Sequence, residues 1–124
     1  RGLGDVYKRQ DYSKINALTM TADNVWCGGV VLGNKINNWE NLDFNTLQST
    51  LLWNDEAPQK AFIKDATPFR TLAWVINVRL SQNINIPSGS KIITGSVIKT
   101  RAPKKGDHII YKIDSLSQVE VKII

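Results

Sequence analysis

Thr21-Ala-Asp-Asn-Val-Trp-Cys-Gly-Gly-Val-Val-Leu-Gly33 is the stretch on which a reading of the fold turns. Asp23 and Asn24 have short polar side chains that can cap a helix end or bond neighbouring backbone groups. Gly28 and Gly29 admit positive φ and close backbone approach. Bulky Trp26 and Cys27 stand between the two pairs, and Val30, Val31 and Leu32 form an apolar, β-prone run closed by Gly33 and Asn34. The stretch therefore reads as a short helical turn feeding a buried strand over 30–32. Its polar part falls at the mouth of a core, where a ligand can be held.

Upstream, Ser13 is a candidate N-cap for a short helix whose apolar positions Ile15, Leu18 and Ala22 fall on one side and which ends near Asn24. Downstream, the Asn-rich loop over 33–45 is expected at the surface, tucked in by Trp39 and Leu42. Residues 46–53 and 59–63 read as a β-hairpin across Asn54-Asp55-Glu56-Ala57-Pro58, with the proline where no ladder N–H is needed. Thr67-Pro68 marks a helix start, a hydroxyl N-cap followed by proline at the first helical position. Phe69, Leu72, Ala73, Ile76 and Leu80 then give one apolar face, so this helix is expected to pack on a sheet and to end near Gln82 and Asn83. Trp74 lies on another face with Arg70, Asn77 and Ser81, as a helix-edge core residue or a subunit contact.

After a turn at Pro87-Ser88-Gly89, residues 91–96 read as a β-run. Lys104-Lys105-Gly106-Asp107 supplies another turn, and residues 108–113 and 119–124 alternate as strands, the last of them half-exposed. The fold class is α+β: a mixed, barrel-like β-sheet with one main packed helix.

The chain has 124 residues, enough for one hydrophobic core, with 42% hydrophobic and 22% charged residues and no repeat. No apolar run is long enough to span a membrane and no secretory signal is visible, so the cytoplasm is the expected location. A single Cys27 precludes an internal disulfide and cannot by itself build a thiolate metal site. Of the net charge of +5, Arg1, Lys8 and Arg9 against Asp5 contribute +2. That opening segment, 1–10, lacks periodicity and is read as an unrelated or disordered extension, with a basic nucleic-acid-binding tail as the other reading. Residues 11–124 form a single domain.

Candidate chemistry is sparse. Lys99, Arg101, Lys104 and Lys105 could gather for phosphate, but no aromatic residues interleave to stack bases, so a solvated hairpin is the expectation. His108 has no paired acid nearby in sequence, directly follows a Gly-Asp turn and reads as a strand-start residue. Cys27 has no visible activating partner. The acid pairs Glu40 with Asp43 and Asp55 with Glu56 sit in loops and make no convincing cation site. Two stretches stand out: Asp23-Asn24 with its glycines, and Thr94-Gly95-Ser96, whose hydroxyls and open backbone N–H groups could bind a carboxylate. Two tight turns are the structural alternative.

These residues resemble a known family. Thr21-Ala-Asp-Asn, the Gly28 region and Val31-Leu32-Gly33 are similar to the Ala-Asp-Asn-Ala-Ser-Ser-Gly to Val-Leu-Gly motif of 2-keto-4-pentenoate hydratases, in the fumarylacetoacetate hydrolase superfamily. Pro68-Phe-Arg-Thr-Leu-Ala-Trp74 resembles the family's Pro-Leu-Asn-Ala-Val-Ala-Trp helix, Ile93-Thr-Gly-Ser96 its Leu-Thr-Gly-Ser strand, and Gly106-Asp107 its late turn. The matches run in order over residues 11–124.

The resemblance implies a mixed β-barrel lyase that adds water to a short 2-oxo or 2-hydroxy dienoate. In the complete enzyme Mg²⁺ or Mn²⁺, held by upstream acidic residues, would act as a Lewis acid, and family members are homo-oligomers. The family's Glu-x-Glu pair and third Glu are missing here, so the resemblance implies a truncated C-terminal portion, with no metal bound and no activity by itself. Asp23, Asn24, Thr94, Gly95 and Ser96 carry over as substrate contacts, and no residue carries over as catalytic. Val25-Trp26-Cys27-Gly28 replaces Ala-Ser-Ser-Gly, which puts Trp26 where the family has a hydroxyl. A C–C hydrolase or 2-oxo acid decarboxylase of the same superfamily is the nearest alternative. A non-catalytic β-barrel module is the one from another class, although nucleic acid is not the expected partner.

Overall fold

A computed structural model describes residues 5–7, 16–22 and 27–124. In chain order the strands are β1 (Asp5–Tyr7), β2 (Cys27–Val30), β3 (Gln48–Trp53), β4 (Gln59–Phe62), β5 (His108–Ile113) and β6 (Ser117–Lys122), and the helices are α1 (Ala17–Ala22) and α2 (Pro68–Ser81). β1 and β2 pair with each other, and the other four strands make a sheet in the order β4-β3-β5-β6. Every one of these pairings is antiparallel. The described residues thus form an α+β arrangement around an open antiparallel sheet, where the sequence suggested a mixed barrel.

The sheet's core follows from alternation. Ser49, Leu51 and Trp53 point to one face of β3, and Leu51 lies opposite Tyr111 of β5, which in turn faces Val119 of β6. Leu51, Trp53, Tyr111 and Val119 are buried, and Ile98 joins them from an irregular segment. Ser49 is fully buried, and its hydroxyl donates to the Ala61 carbonyl at 3.0 Å, which removes the cost of an unpaired polar group. Asp114 turns the chain between β5 and β6 with a φ of 40°, and its carboxylate accepts the Gln48 N–H at 2.9 Å. That bond ties the hairpin to the start of β3.

Several expectations are corrected. The strand expected over 30–32 is Cys27–Val30, because its partner is β1, inside the opening segment that periodicity leaves unassigned. Val31 continues onto the core, and Leu32 is exposed. Gly33 lies so close to β6 that a Cβ there would stand 2.6 Å from the Ser117 hydroxyl and 3.2 Å from the Gln118 carbonyl oxygen. In α1, Leu18 is 82% exposed rather than buried. Ser13 and Ile15 lie outside the described residues. The last strand is Ser117–Lys122 rather than 119–124.

Residues 91–96 form no strand. Gly95 adopts φ 103° and no described strand offers this segment a ladder. The chain then bends, delivering Ile98 to the core.

α2 begins at Pro68 as expected, but its cap differs. Thr67 sits in the left-handed region at φ 41° and its side chain makes no capping bond, because a 3₁₀ turn over Ile63–Ala66 runs directly into the helix. The far end is a Schellman closure: Asn83 at φ 56° donates to the Leu80 carbonyl and Ile84 to the Arg79 carbonyl, each at 2.9 Å. The helix does not pack on the sheet. None of its residues is buried, and none belongs to the described core. Phe69 meets Phe44 edge-on at 4.7 Å and Trp39 at 6.5 Å, which anchors the 33–45 loop to the helix. Trp74 is 65% exposed.

Candidate functional site

Of the five residues expected to contact substrate, Asp23 and Asn24 lie outside the described residues, as does Trp26. Thr94, Gly95 and Ser96 share the bend ahead of Ile98. Thr94 is half-buried and Gly95 and Ser96 are exposed. The Ser96 hydroxyl donates to the Ile98 carbonyl at 2.5 Å and accepts the Ile98 N–H at 3.2 Å, so its proton is committed to the bend. That leaves the Thr94 hydroxyl and the open backbone at Gly95, where a Cβ would meet nothing within 4 Å, as the groups free to bind a carboxylate.

A larger polar cluster stands at one end of the sheet, and local sequence did not announce it. Asn54 leaves β3 at φ 51°, and its side chain accepts the His108 N–H at 2.7 Å and donates to Asp107 at 2.9 Å. Asp107 also accepts the Lys104 N–H at 2.8 Å. These bonds hold the Asp107 carboxyl below its ordinary value, the Lys104 N–H first and Asn54 next.

Beside this knot, Arg101 forks onto both oxygens of Glu56 at 2.7 and 2.8 Å and lies over the Trp53 ring at 4.3 Å. Hydrogen bonding to Arg101 lowers the Glu56 pKa and the same pair raises that of Arg101. Arg101 is therefore not part of an open basic patch. His108 does start a strand, as expected, but it has an acid partner in space: its Nε2 is 2.7 Å from Glu120 across β6. All these groups are engaged with one another, so the cluster chiefly fixes how the β3–β4 turn, the 101–107 turn and β5 meet.

Among the described residues no three His, Cys, Asp or Glu side chains converge as metal ligands. The described residues therefore do not fit the Mg²⁺ or Mn²⁺ that the resemblance implies for the complete enzyme. A shallow depression of about 200 Å³ lies over the first turns of α2, lined by Thr67, Arg70, Thr71 and Trp74. Thr94, Gly95 and Ser96 do not line it. No described helix is long and apolar enough to cross a membrane.

No protein-family profile matches the chain. Over 118 residues it is 24% identical to 4-oxalocrotonate decarboxylase of Pseudomonas putida, an alignment that takes in 94% of this chain and 45% of that enzyme. The likeness supports the fumarylacetoacetate hydrolase superfamily. It does not single out the hydratases, since a decarboxylase fits about equally. The chain spans less than half the length of this relative.

Proposed function

We propose that this chain is part of a fumarylacetoacetate hydrolase superfamily enzyme acting on a short, unsaturated 2-oxo or 2-hydroxy acid. One observation carries the reading, the distant likeness to 4-oxalocrotonate decarboxylase that takes in 94% of the chain, and the four motifs matched in order along residues 11–124 agree with it. Hydration of 2-hydroxypentadienoate, favoured by the motifs, and decarboxylation of 4-oxalocrotonate, favoured by the relative, are the two reactions to be told apart. On this reading Thr94 and the Gly95 backbone hold the substrate carboxylate, Ser96 keeps their bend in shape, and Asp23 and Asn24 complete the contact. Mg²⁺ or Mn²⁺ and its carboxylate ligands come from outside the described residues.

The test uses the full-length polypeptide encoded by the gene, supplied with Mg²⁺ or Mn²⁺. Loss of dienoate absorbance reports hydration, and trapped CO₂ reports decarboxylation. One of the two is expected, with residues 1–124 alone inactive. Thr94→Ala should lower kcat/KM by about 10- to 100-fold, the worth of one hydrogen bond to a charged group. Turnover of neither acid would remove the reading.

A further inference from the structure

The bend over 94–98 joins the core to the groups left free for a carboxylate. At one end Ile98 is buried, 8% exposed, in the cluster with Leu51, Trp53, Tyr111 and Val119, and Val97 packs against the same cluster. At the other end stand Thr94 and Gly95. Ser96 ties the two ends together: its hydroxyl donates to the Ile98 carbonyl at 2.5 Å and accepts the Ile98 N–H at 3.2 Å, so both backbone groups of the buried residue are stapled to the neighbour of Gly95. Gly95 supplies the remaining turn at φ 103°, a conformation that a side chain resists. None of the described strands pairs with this segment. Its course from the core to Thr94 is therefore set by one buried side chain, one hydroxyl and one glycine.

Placement matters at such a point, because a displacement of about 1 Å in a group that positions substrate can cost about 100-fold in rate. Truncating Ile98 leaves a cavity that the surrounding structure fills only in part. Leu51, Trp53, Tyr111 and Val119 are held in strand ladders and Ile98 is not, so the bend is the part of the cluster that shifts into the space.

We infer that Ile98 and Ser96 are positioning residues for the carboxylate contact. Ile98 seats the bend in the core, and Ser96 passes that placement on to Gly95 and Thr94. This rests on the superfamily reading, which gives Thr94 and Gly95 the contact. It moves Ser96 out of the set that touches substrate and brings in a core residue that no motif marks.

The test is steady-state kinetics of the full-length polypeptide, supplied with Mg²⁺ or Mn²⁺, on whichever of the two acids it turns over. A carboxylate held alike before and during reaction registers in KM, with kcat little changed. Ile98→Ala and Ser96→Ala should each raise KM about 10-fold with kcat within about 2-fold of the parent. Ser96→Thr, which keeps the hydroxyl, should return KM to near the parent value. Leu51→Ala empties a comparable volume of the same cluster from within a strand and should leave KM within about 2-fold. In a Thr94→Ala background Ile98→Ala should add less than it does alone, since it acts through that contact. Should Ile98→Ala fail to fold, Ile98→Val gives a smaller rise in the same direction. An unchanged KM in both the Ile98 and Ser96→Ala variants, or a rise in Leu51→Ala as large as theirs, overturns the inference, while a loss of kcat/KM in Thr94→Ala on the same acid keeps the superfamily reading. A parent that turns over neither acid removes that reading and the inference with it.

Discussion

The β3–β6 sheet and helix α2 have comparable shares of apolar residues and opposite fates. The sheet turns alternate side chains inward, and Leu51, Trp53, Tyr111 and Val119 close a core among themselves with Ile98. α2 keeps every residue at least partly exposed and touches the body through Phe69 and the loop aromatics. Hydrophobic pattern says that a face wants cover, and only long-range pairing says what provides it. The sheet finds its cover within this chain, whereas the helix is left without a full cover among the described residues.

The sharpest break between the two regions comes from their tryptophans. Trp53→Ala should destabilise residues 1–124 by about 3–5 kcal/mol, the cost of emptying a core position. Trp74→Ala should fall within about 0.5 kcal/mol of the parent, as exposed substitutions do. Urea denaturation of the two variants checks both, and equal losses would show that α2 shares the core.

A smaller effect tests the seam between the 31–33 segment and β6. Gly33→Ala forces a Cβ against the Ser117 hydroxyl and the Gln118 carbonyl and should cost about 1–3 kcal/mol. The Ser117 hydroxyl is buried without a hydrogen-bond partner among the described residues, so Ser117→Ala alone should be neutral or slightly stabilising. In the double variant Ser117→Ala should recover part of the Gly33→Ala loss, and strict additivity would place Gly33 away from β6.

The smallest effect is electrostatic. Glu56 and Asp107 have folded pKa values below their ordinary 4.5 and 3.8, so each adds stability that is whole above those values and is lost as pH falls through the lowered ones. Glu56 is exposed and Asp107 only half-buried, which keeps the acid limb shallow. Arg101→Ala should flatten it further by releasing Glu56, and Asp107→Asn should do the same from the Asn54 side. An acid limb as steep in both variants as in the parent would contradict the pairings. At the alkaline end, burial in the core raises the Tyr111 pKa above 10.0, so its contribution is whole below that value and is lost as pH rises through the raised one.

Much of the sheet was legible because alternation and turn chemistry are local. Residues 46–53 and 59–63 gave a hairpin within a residue or two of β3 and β4, and Gly106-Asp107 marked the turn into β5. The 91–96 run misled because β-prone residues need a neighbouring strand, and none of the described strands pairs with it. The helix start was legible at Pro68 but the cap was not, since Thr67 obeys the 3₁₀ turn before it rather than its own hydroxyl. The end-of-sheet cluster was invisible for another reason: Glu56 lies 45 residues from Arg101 and Asn54 lies 53 from Asp107, separations that no local window spans. At the proposed substrate contacts the motif located Thr94, Gly95 and Ser96 together, and only geometry separated the committed hydroxyl of Ser96 from that of Thr94.

Amide hydrogen exchange on residues 1–124, followed residue by residue at a concentration where the chain is monomeric, tests most directly whether the sheet stands without the helix. The Leu51, Tyr111 and Val119 amides should exchange slowest, near the rate of global unfolding, with the interior amides of α2 at least about 100-fold faster. Protection of Val75 and Ile76 equal to that of Tyr111 would contradict the account, because it would make α2 part of the same cooperative core.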